Sequence, residues 1–323
     1  MGRASSFIPA LKYGHKIFPE NLAGMIGQPV VGNVFYVDAN AGSDTANAGK
    51  SFKDAFKTLG AAYAACTSYN YDVIIVAPTA NSVTVEASIV WAKSFITVVG
   101  ATAPIHNAQR ARIGFGSAAA TPCLKITGIG NRFINLKLVV EEDVNVMVEI
   151  AAARNYFQNV DFAGICNATT GDDTAARVVV IDDDCGENYF GNCVFGVDTV
   201  LNSVANALVE IVGTSSNARN MFEDCIFRIV CDNAGPRFVL FTGSYAAECS
   251  QIFRRCLFLN TRGGTTTMTV GMTIPASTNG KIILDGCGVI GVTDWADLYT
   301  SLYCYNQPDV AAANSGFLEI VAT

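Results

Sequence analysis

The chain has 323 residues, of which half are hydrophobic and only 15% are charged, against about a quarter in an average soluble protein. This balance supplies a large core and argues against disorder. The net charge of -7 argues against a general nucleic-acid-binding role. No apolar run reaches the length of about 18 residues that would predict a membrane span. Eleven cysteines without a Cys-x-x-Cys pair, beside two histidines, indicate free thiols and argue against zinc.

Residues 1–33 are predicted to form an N-terminal arm that is separate from the rest of the chain. Prolines and glycines interrupt any helix or strand period there, but the segment is more apolar than a disordered tail. It lacks a continuous apolar stretch followed by a cleavage site, so no secretion signal is predicted. We expect an extended arm that becomes ordered against a partner. The residues expected to make this contact are Arg3, Phe7, Ile8, Leu11, Lys12, Tyr13, Lys16, Ile17 and Phe18.

The next segment predicts a short strand, a turn and an amphipathic helix. A strand begins at Val34 and leads into a turn rich in Asp and Asn that ends at Asp44. Between residues 51 and 66 the apolar positions follow i, i+3, i+4, i+7 spacing, which predicts a helix of about four turns with Ser51 as its N-cap. Further strands are predicted at residues 72–78, 82–89 and 95–99.

An eight-residue phrase then occurs six times, and a short strand precedes each copy. The phrases occupy residues 131–138, 155–162, 188–195, 220–227, 251–258 and 282–289. The preceding strands are predicted at residues 124–127, 146–150, 178–181, 208–212, 238–242 and 268–274. We call the eight positions of the phrase slots one to eight, counted from its first residue. Slots three, six and eight are apolar. Slots six and eight point to one face of a strand, and slot three is expected to face inward from across a bend.

A copy of about 31 residues cannot bury such a face alone, so the copies are expected to stack at about 4.8 Å into a solenoid with one core. Like residues then form internal ladders, and those expected in the core are Cys193, Cys225, Cys256, Cys287, Phe195, Phe227 and Phe258. Slot six holds Leu136 and Val160 in the earlier copies. We therefore interpret the cysteines as small buried hydrophobes and not as a metal or redox site.

Four phrases open with an asparagine. These residues are interpreted as turn residues that adopt left-handed geometry and bond their own backbone, with substrate contact as the alternative. They are Asn131, Asn155, Asn188 and Asn220.

No group of residues predicts catalysis or a cofactor. The acidic runs fall at turns, where three consecutive side chains cannot face one pocket; they lie at residues 141–143, 172–173 and 182–184. Weak candidates for a cation site are Asp182, Asp184 and Glu187, and no other metal ligand is predicted. Arg254 and Arg255 follow one copy after residues 223–224, which are acidic. That spacing predicts ion pairs between neighbouring copies.

The last segment, residues 291–323, departs from the repeat and is predicted to cap the solenoid. An open end would offer unpaired strand edges. The segment holds Trp295, three tyrosines and a closing strand at residues 317–321. A cap or a contact within a trimer is favoured, and a glycan-binding tip is the alternative.

Between about residues 34 and 290 the chain resembles the right-handed parallel β-helix proteins of the pectin-lyase-like superfamily. Residues 35–44, FYVDANAGSD, resemble the first strand and turn of such proteins. Residues 51–65 resemble the helix that caps the N-terminal end, residues 72–79 resemble the strand after it, and the N-x-F-x-N/D-C-x-F phrases resemble later rungs. The resemblance implies an all-β single domain: an arm over 1–33, a β-helix over 34–290 and a cap over 291–323. This fold serves both enzymes and inert scaffolds.

Within the superfamily, the chain most resembles phage virion proteins, because it has an N-terminal arm and no predicted secretion signal. Such phage proteins are commonly trimers with a particle-binding N-terminal segment. The resemblance implies a non-enzymatic capsid decoration or cement protein in the virion. Its expected partners are the major capsid protein and further copies of itself, not nucleic acid or a membrane. One alternative is a small tailspike or tail fibre that binds or cleaves a host glycan. Another is a secreted polysaccharide lyase or hydrolase.

Overall fold

The computed structural model describes residues 32–79, 84–262 and 268–306. Within these ranges the protein is a parallel β-helix, as predicted. Successive coils, which we call rungs, lie on one another, and their strands pair in parallel. The described residues form one sheet of 17 strands, one of eight, and a two-stranded ladder at a turn. Because like residues recur in every rung, one hydrophobic core runs along the axis.

The larger sheet contains both halves of each phrase. Its strands are β1 (Val34–Val37), β2 (Val73–Val76), β3 (Thr84–Glu86), β5 (Thr97–Gly100), β6 (Arg112–Phe115), β8 (Arg132–Val140), β10 (Tyr156–Ala163), β13 (Tyr189–Gly191), β14 (Val194–Phe195), β15 (Leu201–Asn202), β18 (Met221–Glu223), β19 (Ile226–Cys231), β21 (Cys249–Arg254), β22 (Leu257–Asn260), β24 (Gly280–Asp285), β25 (Gly288–Ile290) and β27 (Leu302–Tyr305).

The smaller sheet contains the strands that precede the phrases, and all six predicted ones form to within one residue. Its strands are β4 (Ile89–Trp91), β7 (Leu124–Ile126), β9 (Val146–Ile150), β11 (Arg177–Ile181), β16 (Ala207–Val212), β20 (Arg237–Thr242), β23 (Met268–Thr273) and β26 (Val292–Ala296). The ladder at the turn consists of β12 (Cys185–Gly186) and β17 (Asn217–Ala218). The helical elements are a 3-10 turn (Phe52–Asp54), α1 (Leu59–Ala65) and α2 (Ala168–Gly171).

The helix near the N-terminal end is shorter than predicted, and Ser51 does not cap it. Ser51 makes no side-chain capping bond. The Thr58 hydroxyl instead accepts the backbone N–H of Ala61 at 3.1 Å and begins α1. The physical reason is a competing strand contact: Phe56 forms a parallel bridge with Val37 of β1, and its backbone is therefore extended. Phe56 therefore serves sheet pairing and not a helix face, and Phe52 lies in the 3-10 turn.

Phenylalanines in slots three and eight stack along the core. In slot three the ring centroids of Phe157 and Phe190 lie 4.8 Å apart with 5° between the ring planes. In slot eight Phe195 and Phe227 lie 4.8 Å apart. These separations match the spacing of paired strands, because each ring rests on the ring of the next rung. Slot three therefore faces inward, as predicted, and these side chains are buried.

Slot five makes the bend that turns slot three inward. Its residue has a left-handed backbone in all six phrases, with φ between 49° and 63°. The six residues are Asn135, Asn159, Asn192, Asp224, Arg255 and Gly286. Asn, Asp and Gly are the residue types that adopt this geometry at least cost, although one rung uses an arginine.

The asparagines in slot one are not the left-handed turn residues that the sequence was interpreted to contain. Positive φ falls on slot five, and the slot-one asparagines are buried in the core wall. The backbone N–H of Asn131 donates to Asn155 Oδ1 at 3.0 Å, and that of Asn155 donates to Asn188 Oδ1 at 2.9 Å. The N–H of Asn188 donates in turn to Asn220 Oδ1 at 3.0 Å. Bonding to the local backbone also occurs, since Asn131 Nδ2 donates to Gly128 O. The row is an asparagine ladder that satisfies buried backbone groups.

The sheets continue beyond residue 290, where the sequence predicts a cap. Strand β26 pairs with β23, and β27 pairs with β24. Cys304 lies in register with Leu284, so it occupies slot three, and Asn306 has the φ of 53° that marks slot five. Residues 302–306 thus begin a seventh phrase that the sequence pattern does not reveal. The rest of the predicted cap, residues 307–323, lies outside the described residues.

Candidate functional site

The predicted site residues fall into three groups: the arm, the core ladder and the weak cation candidates. The arm residues, from Arg3 to Phe18, lie outside the described residues. The predicted core ladder is in place, with Cys193, Cys225, Cys256, Cys287, Phe195, Phe227 and Phe258 all buried. Each ladder thiol donates to a carbonyl of the preceding rung; Cys225 Sγ, for example, lies 3.3 Å from Phe190 O. Burial raises the pKa of the Cys225 and Cys256 thiols well above the usual value, and the burial of all four cysteines indicates that the row is packing.

The three weak cation candidates do not converge. Glu187 lies between two arginines, 2.7 Å from Arg154 Nε and 3.0 Å from Arg219 Nη1. Asp184 is exposed, on a left-handed turn. Asp182 Oδ1 accepts the N–H of the residue that follows it. Across the described ranges no three His, Cys, Asp or Glu side chains are grouped as metal ligands, and no helix is long and apolar enough to cross a membrane.

Asp183, the middle residue of the acidic run at 182–184, holds a turn of the next rung. Asp183 accepts backbone N–H groups of Thr214, Ser215 and Ser216 at 2.9 to 3.1 Å, and also the Thr214 hydroxyl. Burial alone would raise the pKa of this carboxyl, but these hydrogen bonds hold it below its usual range. The predicted ion pairs between rungs are present: Arg255 contacts Asp224 at 2.7 Å and Glu223 at 2.8 Å. These carboxylates therefore join rungs.

An apolar row runs along the outside of the larger sheet. It consists of slot-two side chains from six consecutive rungs, which we call the outer row: Tyr156, Tyr189, Met221, Ile252, Ile283 and Tyr303. Its members are partly exposed, and Tyr303 is 47% exposed. Beside it, slot four carries paired charges, with Arg254 2.9 Å from Asp285 and 3.8 Å from Glu223. The outer row is thus an apolar strip flanked by charges.

An inserted loop forms a second surface feature. Gly100 ends β5, yet Arg112 of β6 lies in register with slot seven of the next rung, so residues 101–110 are inserted at the bend. The loop turns toward later rungs: the N–H of Ala108 donates to Asp161 Oδ2 at 3.0 Å, and Gln109 Nε2 donates to Asn159 O at 3.0 Å. It therefore covers the slot-five corners of the following rungs.

A cleft of about 310 Å³ opens between this loop and the corners. We call it the corner cleft, and its lining residues are Pro104, His106, Ile134, Asn135, Gln158, Asn159 and Asn192. The Asn135 amide bonds to Gly100 O and Thr102 O, and its Oδ1 accepts Asn159 Nδ2 at 2.9 Å. The side-chain amides of Asn135 and Asn159, which lie at the slot-five bends of two successive rungs, thus fix the floor of the cleft.

Charged and polar groups lie behind the loop. Asp161 is fully buried; its Oδ2 faces Lys137 Nζ at 3.3 Å and its Oδ1 has no hydrogen-bond partner. His106 Nε2 and Arg228 Nε are also buried without a partner. Burial lowers the pKa of His106, against the effect of Asp161 and Asp224, so its neutral form is favoured.

Sequence reasoning missed both the outer row and the corner cleft. Signals for both were present, since slot two is apolar or aromatic in most copies and slot five is asparagine at 135, 159 and 192. The insertion was not visible because the interrupted phrase around Gly100 lacks the Asn, Phe and Cys that mark the others.

Known proteins resemble this chain only distantly. No family model matches the chain, and no curated protein matches it. It is similar to a solved structure of a pectin methylesterase mutant in complex with a hexasaccharide, at 10% identity and a TM-score of 0.42, over 83% of this chain and 92% of that one. It is similar to the ORF18 protein of Geobacillus virus E2, at 12% identity and a TM-score of 0.44, over 85% of this chain and 55% of that one. A rhamnogalacturonan lyase gives 13% identity and a TM-score of 0.38, over 79% and 73% of the two chains. The chain thus spans about half the length of the viral protein, and the fold rests on the strand pairing described above.

Proposed function

We propose that this chain is a structural protein of a phage virion, a capsid decoration or cement protein that forms homotrimers and attaches through residues 1–33 to the major capsid protein. The outer row is the observation that carries the proposal. It gives a stiff solenoid an apolar strip along which copies can associate. The arm, basic and apolar in composition, supplies a separate contact for the shell.

The core suits a load-bearing rod. Ten residues from Phe35 to Cys304 share the slot-three register, which corresponds to a stack of about 43 Å at the strand spacing. Aromatic rings fill most of its middle rungs, and ion pairs such as Arg255 with Asp224 tie the rungs together outside. Bending the rod would separate stacked rings and break several contacts at once.

The outer row has the character of a protein interface. Its apolar and tyrosine side chains form a continuous centre, and the charges of slot four form a polar rim, as is typical of interfaces between proteins. The tyrosine hydroxyls already have partners, since Tyr189 donates to Glu223 Oε2 and Lys281 donates to Tyr303 Oη. Another copy could therefore cover the row without leaving these hydroxyl groups buried and unpaired.

The trimer is tested by sedimentation of the full chain and of an Ile252→Asp, Ile283→Asp variant. We expect the unaltered chain to sediment as a trimer and the variant as a monomer, because two charges would be buried in the interface. Val90→Asp is the matched control, since Val90 is 61% exposed on the smaller sheet; it should stay trimeric. A monomeric unaltered chain, or a trimeric double variant, would contradict the proposal.

The capsid role is tested with empty heads assembled from the major capsid protein encoded in the same genome. The full chain should co-sediment with these heads, and a chain lacking residues 1–33 should remain folded and stay in the supernatant. Failure of the full chain to bind would contradict the capsid location. Binding by the shortened chain would contradict the role of the arm.

A further inference from the structure

We propose that the corner cleft is a binding site for one neutral sugar ring of a glycan. The site goes beyond the structural role proposed above and does not depend on it. The inference rests on free amide groups in the lining, on the absence of an uncompensated charge there, and on two apolar walls.

The first observation is a set of amide atoms left free by the fold. Gln158 Oε1 accepts the Tyr156 hydroxyl at 3.1 Å, but Gln158 Nε2 has no partner. Asn159 donates to Asn135, while its own Oδ1 accepts nothing. The Asn192 side chain forms no hydrogen bond, although its backbone N–H donates to Glu223 O. Within the described residues the cleft therefore offers two donors and two acceptors side by side, which is the mixed pattern that sugar hydroxyls need.

Two neighbouring rungs carry these groups. Asn159 and Asn192 both occupy slot five, where the left-handed bend sets the direction of the side chain. Gln158 precedes Asn159 in β10 and lies in register with Gly191 of the next rung. Gly191 has no side chain to compete for this space, since a Cβ there would lie 2.4 Å from Gln158 Oε1. Gln158 and Asn159 are also held by their hydrogen bonds to Tyr156 and Asn135, so these two amides are arranged in advance, which reduces the entropy lost on binding.

Charge indicates a neutral ligand. The only ionisable residue in the lining is His106, and burial lowers its pKa, which favours the neutral form. The charged groups that influence His106 are each paired: Asp161 with Lys137, Asp224 with Arg255, and Arg228 with Asp198 at 3.5 Å. A uronic acid or a phosphate would have to leave water without finding a cation. Neutral hydroxyl groups meet no such cost.

Shape and apolar contact fit a single ring. A volume of about 310 Å³ lies at the small end of ligand sites, which span about 300–1,000 Å³. Pro104 on the loop and Ile134 on the floor provide apolar surface for the C–H face of a sugar. Amides for the hydroxyls and apolar walls for the C–H face together make the cleft amphipathic, as a pyranose is.

The test is a titration of the full chain, followed by ligand-observed NMR, with methyl glycosides of glucose, galactose, mannose and N-acetylglucosamine. Methyl galacturonoside is the acidic probe and N-acetylglycinamide is the peptide-like probe. We expect at least one neutral glycoside to bind with a Kd on the order of 1 mM. Asn192→Gly should weaken it at least tenfold, because glycine suits the left-handed backbone and removes only the amide. Gln158→Ala should weaken it as well.

Asn306→Gly is the matched control, because Asn306 occupies slot five of the last described rung, outside the cleft. It should bind the glycoside as the unaltered chain does, and thermal unfolding should show all variants folded. Three results would overturn the proposal: no saturable binding of any neutral glycoside, preferential binding of the acidic or peptide-like probe, or unchanged affinity in Asn192→Gly. None of them bears on the trimer or on capsid binding.

Discussion

The rings of Phe190 and Phe222 lie 4.6 Å apart with only 4° between their planes. They occupy slot three of neighbouring rungs and are fully buried. Each ring contacts the ring above, the ring below and the slot-eight ring beside it, as Phe190 does with Phe195. A single side chain therefore contributes to the packing of three rungs.

Phe222→Ala should lower the free energy of unfolding by about 3–5 kcal/mol, the usual cost of truncating a buried phenylalanine. Phe52→Ala is the control, since Phe52 is 43% exposed, and it should cost less than about 1 kcal/mol. Urea unfolding followed by circular dichroism measures both. Similar losses in the two variants would show that the stack is not a main source of stability.

Asn188→Ala should destabilise the protein by about 1–3 kcal/mol, because the buried N–H of Asn155 would lose its acceptor. Asn40→Ala removes an exposed asparagine and should change stability by less than about 0.5 kcal/mol. Amide hydrogen exchange gives a residue-level readout, and the N–H of Asn155 should exchange faster in the first variant alone. Unchanged protection at Asn155 would contradict the ladder.

Thiol labelling of the native protein should modify Cys249 and Cys304 first, because these two cysteines are exposed. The buried thiols should react only on unfolding; burial raises the pKa of Cys66 and Cys123 to about 12, so little thiolate forms near neutral pH. A Cys249→Ser, Cys304→Ser variant should lose the fast phase. Rapid labelling of the Cys225 row in native protein would contradict the packing role of that row.

Stability should fall as the pH rises toward neutrality, because burial raises the pKa of Glu86 from 4.5 to about 7. Hydrogen bonds from the backbone N–H groups of Leu59 and Gly60 lower this pKa but do not offset burial. The folded state holds the proton more tightly than the unfolded chain. Its contribution is complete below pH 4.5 and is lost as the pH passes about 7, by about 3 kcal/mol in all.

Urea unfolding at intervals from pH 4.5 to 8 measures this trend. Glu86→Gln should flatten the Glu86 part of the profile, since it cannot titrate. An identical profile in this variant would show that another group is responsible.

The periodic parts of the fold could be predicted and the exceptions could not. Cysteine, leucine and valine in slot six identify packing because the property that they share is apolarity and not a reactive group. The extent of α1 could not be read from spacing alone, because Phe56 satisfies the same pattern while it pairs with Val37. The corner cleft depends on where residues 101–110 come to lie, and contacts such as that of Ala108 with Asp161 cross 53 residues of sequence.

The asparagine ladder makes the solenoid directional. Each slot-one asparagine accepts the N–H of the rung before it, as Asn188 does for Asn155, so the rungs of this row depend on their successors for one buried hydrogen bond. Removing the rung that follows would leave a backbone N–H donor without an acceptor. Removing the rung that precedes would leave only an asparagine oxygen without a donor. For this row of hydrogen bonds, removing a rung therefore costs the rung before it more than the rung after it.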